Sequence, residues 1–242
     1  MRVTFLDNLP PGHVADAVAE ATGRSHRPDP ALPRTGGPAG NAVLTAWTGL
    51  VILVLGVAEL LTLFDVRGLV SWHVALGALL VPPALLKTAT TGWRMLRYYS
   101  RSAPYVEAGP PAMLLRVLGP LVVVSTLGLL ASGIWLVVDG EESARQQLFS
   151  LGGFRADWIT VHQGFFAVWC VATGLHLLGR IIPALRQTVV RGGVPHPAGT
   201  TVRVALVVTA LVAAAALAVV LVRADTGWTH EDFRHFLPPP RP

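Results

Sequence analysis

The chain has 242 residues, of which 52% are hydrophobic and only 14% charged, with a mean hydropathy of +0.54. A soluble domain carries about 25% charged residues, so this composition excludes an ordinary water-soluble fold and points to an integral membrane protein. The net charge of +5 reads as membrane topology and not as a nucleic-acid footprint, and the single cysteine, Cys170, excludes a disulfide framework or a thiolate metal site.

Residues 1–41 are polar and rich in Pro and Gly. VADAVAEATG suits one short amphipathic helix ending at Gly23, and RSHRPDPALPRTGGPAG reads as a flexible cytoplasmic lead into the membrane. No apolar core followed by a cleavage site marks a signal peptide. His13 and His26 fall in this segment and read as solvated loop residues.

Five apolar stretches long enough to span follow. The first runs from Ala42 to Phe64 and holds one ionisable residue, Glu59. The second begins near Leu69, leaves the bilayer around Thr90 and continues as helix through TGWRMLRYY, with Pro82 and Pro83 expected to kink it or end a regular segment. The third is Met113 to Val138, with small residues at Ser125, Thr126, Gly128, Ser132 and Gly133. In the connection after it, Glu141 to Phe149 is expected to form a short surface helix with an acidic start. The fourth, WITVHQGFFAVWCVATGLHLLGRIIP, covers Trp158 to Pro183, and the fifth, Val202 to Val222, has no polar group inside. The tail 223–242 is too polar to span. Its His230 and His235, five apart, fit one helical face poorly and read as solvated.

Lys and Arg set the orientation. With the N-terminus inside, thirteen of the 19 Lys and Arg residues fall on the inner side and six on the outer. The expectation is a multi-pass protein of the inner (plasma) membrane, N-terminus cytoplasmic and C-terminus extracytoplasmic. Trp72, Trp135 and Trp158 at one boundary and Trp47 and Trp93 at the other suit aromatic belts. Arg94, Arg97 and Arg101, among Tyr98 and Tyr99, form a basic aromatic patch facing anionic membrane lipid.

The fourth span carries His162 and His176, fourteen residues apart. At 100° and 1.5 Å per residue they share one face, about 40° off register, and stand roughly 21 Å apart. Spans two and four run in the same direction, and His73 follows Leu69 by as many residues as His162 follows Trp158. The two imidazoles therefore lie at one depth, as a bis-histidine haem b requires. Gly77, one turn from His73, and Gly164, beside His162, leave room for a flat ring, and Ser132 and Gly133 reach the same layer. Glu59 belongs to it too, either as a partner of a histidine nitrogen or a proton acceptor, or snorkelling out to Arg67. A transition metal held by His73, His162 and Glu59 is the weaker alternative.

With its paired histidines, the fourth span resembles the membrane cytochrome b subunits of formate dehydrogenases and nickel–iron hydrogenases, a group of bacterial b-type cytochromes. The resemblance covers roughly residues 42–185. It implies an all-α fold in which four of the five transmembrane helices form a cytochrome b-like core that holds two haems. Carried over, His162 takes the outer haem with His73, and His176 is a ligand of the inner haem. The remaining residues, 186–222, make an inner connection and the fifth helix, outside the shared bundle.

One departure stands against two haems. The first span has no histidine, and at the level of His176 the neighbouring spans offer Thr45 and Lys87, neither a usual haem ligand. One haem b, at His73 and His162, is therefore expected, with His176 a hydrogen-bonded interior histidine whose partner is Thr173. The functional expectation is an electron-transfer subunit of an oxidoreductase, exchanging electrons between the quinone pool and a redox partner protein. The alternative is a haem-free structural subunit or small transporter. No nucleophile–base arrangement or phosphate-binding loop suggests a soluble-substrate enzyme.

Overall fold

The protein is described by a computed structural model covering residues 12–22, 29–151, 153–188, 197–224 and 228. It is an all-α membrane bundle. A short helix, α1 (His13–Ala21), precedes the long helices α2 (Gly37–Thr62) and α3 (Val70–Tyr99). After α4 (Ala103–Ala108) come α5 (Met113–Ala144), α6 (Trp158–Thr188) and α7 (Thr200–Ala224). α2, α3, α5, α6 and α7 are each long and apolar enough to cross a membrane, so the chain is a multi-pass membrane protein. The helical state follows from the solvent: backbone polar groups in hydrocarbon must be satisfied within the segment itself.

Three local expectations are corrected. α3 passes unbroken through Pro82 and Pro83, so the prolines do not end a regular segment, in keeping with the tolerance of membrane helices for proline. The polar residues after Val138 prolong α5 to Ala144, but Gly140, at φ 80° and ψ 168°, separates the final turn Glu141–Ala144 from the rest. The surface helix expected from Glu141 to Phe149 is thus limited to one turn. A two-stranded antiparallel hairpin follows, β1 (Phe149–Leu151) with β2 (Phe154–Ala156), in register Phe149 to Ala156. A glycine with positive φ, Gly153 (87°), turns it, in a conformation glycine adopts without the Cβ clash.

The chain divides into two compact units: residues 1–50, 87–124 and 169–206, and residues 51–86, 125–168 and 207–242. In the second, Ala78 of α3, Val137 of α5 and Ala218 and Leu221 of α7 form a buried cluster, with Val74, Leu79, Ile134 and Leu217 against it. Alanines at such contacts let membrane helices approach closely, where dispersion replaces the hydrophobic drive. The fifth helix, expected outside the bundle, is packed against α3 and α5 here.

The first unit contains α1 and residues 29–36, in the stretch read from sequence as flexible. Two ion pairs tie these residues down: Glu20 to Arg180 at 2.7 Å and Asp29 to Arg94 at 2.6 Å. Glu20 also accepts a bond from the backbone N–H of Ala112. At the start of α7, the buried Arg203 donates to the carbonyls of Pro197 and Ala198 and to Thr200. A Cβ at Gly40 would stand 2.6 Å from the Arg203 guanidinium, so glycine is what lets α2 lie against it.

α6 begins at a built N-cap. Asp157 Oδ1 accepts from the backbone N–H and the hydroxyl of Thr160, each at 2.7 Å. These bonds, led by the hydroxyl, hold the Asp157 carboxyl below the usual carboxylate range. The cap fixes the first turn of the helix that carries His162. Asp157→Ala should lower stability by about 1 kcal/mol, while Asp157→Asn, itself a good cap, should lose only a fraction of that. Because the folded-state pKa is depressed, the charge-dependent part is complete above the unfolded value of about 4 and disappears as pH falls through the folded one. Thermal unfolding of wild type and Asp157→Asn between pH 7 and pH 3 checks this: the gap between them should close towards acid pH.

Candidate functional site

The second unit brings His73 of α3 and His162 of α6 together, with ring centres 6.4 Å apart and planes at 85°. Each imidazole is held from behind by a different helix. On the α3 side, His73 Nδ1 lies 2.9 Å from Thr62 Oγ1 and 3.0 Å from Glu59 Oε1. The Thr62 hydroxyl already gives its one proton to the Glu59 carbonyl at 2.6 Å, so its oxygen accepts from His73. On the α6 side, His162 Nδ1 lies 2.9 Å from Ser132 Oγ. The Ser132 hydroxyl in turn donates to the Leu129 carbonyl at 3.0 Å.

Hydroxyls have one proton each, so this pattern assigns the Nδ1–H tautomer to both rings. In the neutral imidazole the lone pair is then on Nε2, on the side away from these partners. Metal-ligating histidines are oriented in this way, the second ring nitrogen donating to a carboxylate, carbonyl or hydroxyl. Two imidazoles on opposite sides of one metal, with metal–nitrogen distances near 2.0–2.1 Å, place their ring centres about 6–6.5 Å apart. The 6.4 Å spacing of the His73 and His162 ring centres falls within that range.

The small residues play roles partly different from those expected. A Cβ at Gly133 would come within 3.2 Å of His162 Cε1, so Gly133 admits the imidazole. A Cβ at Gly77 would face Glu59 Oε1 at 3.5 Å; that space serves the carboxylate and not a flat ring. The position of a Gly164 Cβ is open, with nothing within 4 Å. Gly128 accommodates the Phe165 ring, which would overlap any side chain there.

Glu59 turns to His73 and not outward to Arg67. Its Oε1 contacts the Nδ1 edge of the imidazole, on the side away from Nε2. Accordingly, no group of three or more His, Cys, Asp or Glu fit to hold a metal ion occurs among the described residues. Thr62 escaped the sequence reading, although it lies one turn from Glu59 on the same face of α2.

His176 lies in the first unit. The hydrogen bond expected with Thr173 is absent: His176 Nδ1 and Thr173 Oγ1 are both buried without a partner among the described residues. Of the two groups expected at its level, Lys87 donates to the Thr45 carbonyl at 3.0 Å, so the pair is bonded to itself. Thr45 also bonds to Asn41 and Thr90, and Asn41 to the Thr90 carbonyl. His26, His230 and His235 lie outside the described residues, as does the His13 side chain.

The basic aromatic patch is largely occupied within the chain. Arg97 stands over the Trp93 and Tyr105 rings, at 5.6 and 5.8 Å, and bonds to Ser102, while Arg94 pairs with Asp29. Arg101 is exposed. At the belt proposed on the other side, Trp135 and Trp158 meet with ring centres 5.5 Å apart.

No known protein family, curated protein or solved structure matches this chain. The site is therefore read from its own chemistry.

Ser132→Ala removes the hydroxyl acceptor behind His162 and should cost about 1 kcal/mol. Thermal unfolding in detergent should show that loss, and Ser132→Thr should recover most of it. Equal stability of wild type and Ser132→Ala would contradict the assigned bond.

Proposed function

We propose that the protein is a membrane electron-transfer subunit that binds one haem b between His73 and His162. The observation that carries this reading is the pair of imidazoles fixed through Nδ1 by Thr62 with Glu59 and by Ser132. Both coordinating nitrogens are thereby left for a metal between the rings. Bound there, the haem iron would carry one electron at a time between ferric and ferrous states. The chain's own residues do the rest. His73 and His162 would hold the iron through their Nε2 atoms, and the hydroxyls fix the tautomer. The Glu59 carboxylate, accepting from His73, strengthens that ligand's donation to iron and so favours the oxidised state.

The resemblance to cytochrome b subunits of formate dehydrogenases and nickel–iron hydrogenases agrees with this reading, as does the paired depth of the histidines. The proposed setting is a plasma membrane with the N-terminus cytoplasmic, from the excess of Lys and Arg on that side. His73 and His162 then stand near the outer face. Electron exchange is proposed with the quinone pool and with a redox partner protein on that face. His176 lacks a second axial histidine, so one haem is proposed and not two.

A reduced-minus-oxidised visible spectrum of the purified, haem-supplemented protein tests this directly. An α-band is expected. His73→Ala and His162→Ala should each abolish it, while His176→Ala should leave it largely intact. Absence of the band in the folded wild type would sink the cytochrome reading in favour of a haem-free membrane subunit. Loss of half the haem on changing His176 would overturn the count of one.

A further inference from the structure

The first unit contains a second polar cluster that electron transfer at His73 and His162 does not use. Lys87 lies seventeen residues beyond Val70, the first residue of α3, hence about 26 Å along the helix axis. The hydrocarbon core is about 30 Å thick, which puts the ammonium inside the apolar layer or at its edge. It is turned to the interior: its Nζ would lie 2.9 Å from a Cβ at Gly49, and it donates to the Thr45 carbonyl of α2. An ammonium has three N–H groups, and this is the one acceptor it meets among the described residues.

Two groups of α6 lie within electrostatic range of it. Arg180 and His176 are near enough to Lys87 for the charges to act on one another. The buried His176 Nδ1 and Thr173 Oγ1 have no hydrogen-bond partner among the described residues. Glu20 of α1 bonds to Arg180 Nη1 and to the Ala112 N–H. Buried polar atoms are normally satisfied, and a buried ammonium with unmet donors is costly unless an anion or several acceptors complete it.

We propose that Lys87, His176 and Thr173, with Arg180 beside them, form a binding site for a phosphate oxyanion. The headgroup of an anionic membrane lipid is its main source. A tetrahedral phosphate offers several acceptor oxygens to an ammonium, an imidazole N–H and a hydroxyl at once. Basic pockets between transmembrane helices bind phosphate headgroups on this principle, and the depth of Lys87 lets a headgroup reach it from the nearer interface. Free phosphate shares the chemistry and competes for the same donors. Glu20 bonds to Arg180 and so tethers α1. The site is independent of the haem proposal and can stand or fall without it.

The test uses the purified full-length protein, delipidated in detergent. Phosphatidylglycerol, phosphatidylcholine or inorganic phosphate is titrated while native mass spectrometry and thermal unfolding are followed. Wild type should retain phosphatidylglycerol saturably and rise in Tm, with no such retention of phosphatidylcholine. Lys87→Met should weaken retention at least tenfold, and Arg155→Ala, at an exposed basic residue of the hairpin outside the cluster, should leave it unchanged. If inorganic phosphate alone binds, and Lys87→Met abolishes that binding, the same site takes the free ion. Should Lys87→Met fail to fold, Thr173→Val is read in its place, with a several-fold loss expected. Equal phosphatidylglycerol retention in wild type and the folded cluster variant overturns the proposal, as does saturable binding of neither probe.

Discussion

The arrangement depends on one constraint: a polar side chain inside a membrane helix must find its hydrogen-bond partner on its own helix or a neighbouring one, because the surrounding lipid offers none. In this chain the partners are chiefly hydroxyls that have already given their proton to a backbone carbonyl. Thr62 and Ser132 each donate within their own helix and accept from a histidine on another. That double role fixes the imidazole tautomer and pins neighbouring helices together. Such bonds are individually modest, of order 1 kcal/mol between membrane helices. Their value here lies in directionality, since apolar packing alone would not fix the tautomer or orientation of either ring.

The same constraint treats the two histidines of α6 differently. His162 is provided with Ser132, with Gly133 to admit its ring and with His73 facing it. His176 receives no comparable support; its Nδ1 has no hydrogen-bond partner among the described residues, and Arg180 and Lys87 act on it electrostatically. An iron ligand and an anion donor need opposite surroundings. The first needs an acceptor behind it and a second neutral donor opposite, and the second needs cations alongside. One helix would supply both proposed sites because fourteen residues return to nearly the same face after four turns.

Much of this was legible in the residues. The five spans could be located from length and hydropathy, since a continuous apolar run of some twenty residues has few other stable states. The pairing of His73 with His162 followed from counting residues inward from each helix start, because a helix rises uniformly. Helix ends were less legible. Gly140 breaks α5 where a surface helix was expected, and a three-residue strand pair replaces its remainder. Short polar connections have little periodicity, so their state is set by closure of the chain between fixed helix ends.

By itself, the sequence determined the number of membrane helices, the common depth of His73 and His162, and the absence of a histidine partner for His176 on the first span. These are properties of position along a rod of known rise, and they need no contacts. Rotation of each rod about its own axis was decided only by the tertiary structure. It turned Glu59 towards His73 and away from Arg67, filled the space at Gly77 with a carboxylate, and set Lys87 against Thr45 in place of leaving it to snorkel. Hydropathy carries little information about rotation when a helix is apolar all round. Polar bonding between helices supplies it, and those bonds exist only once the helices have packed.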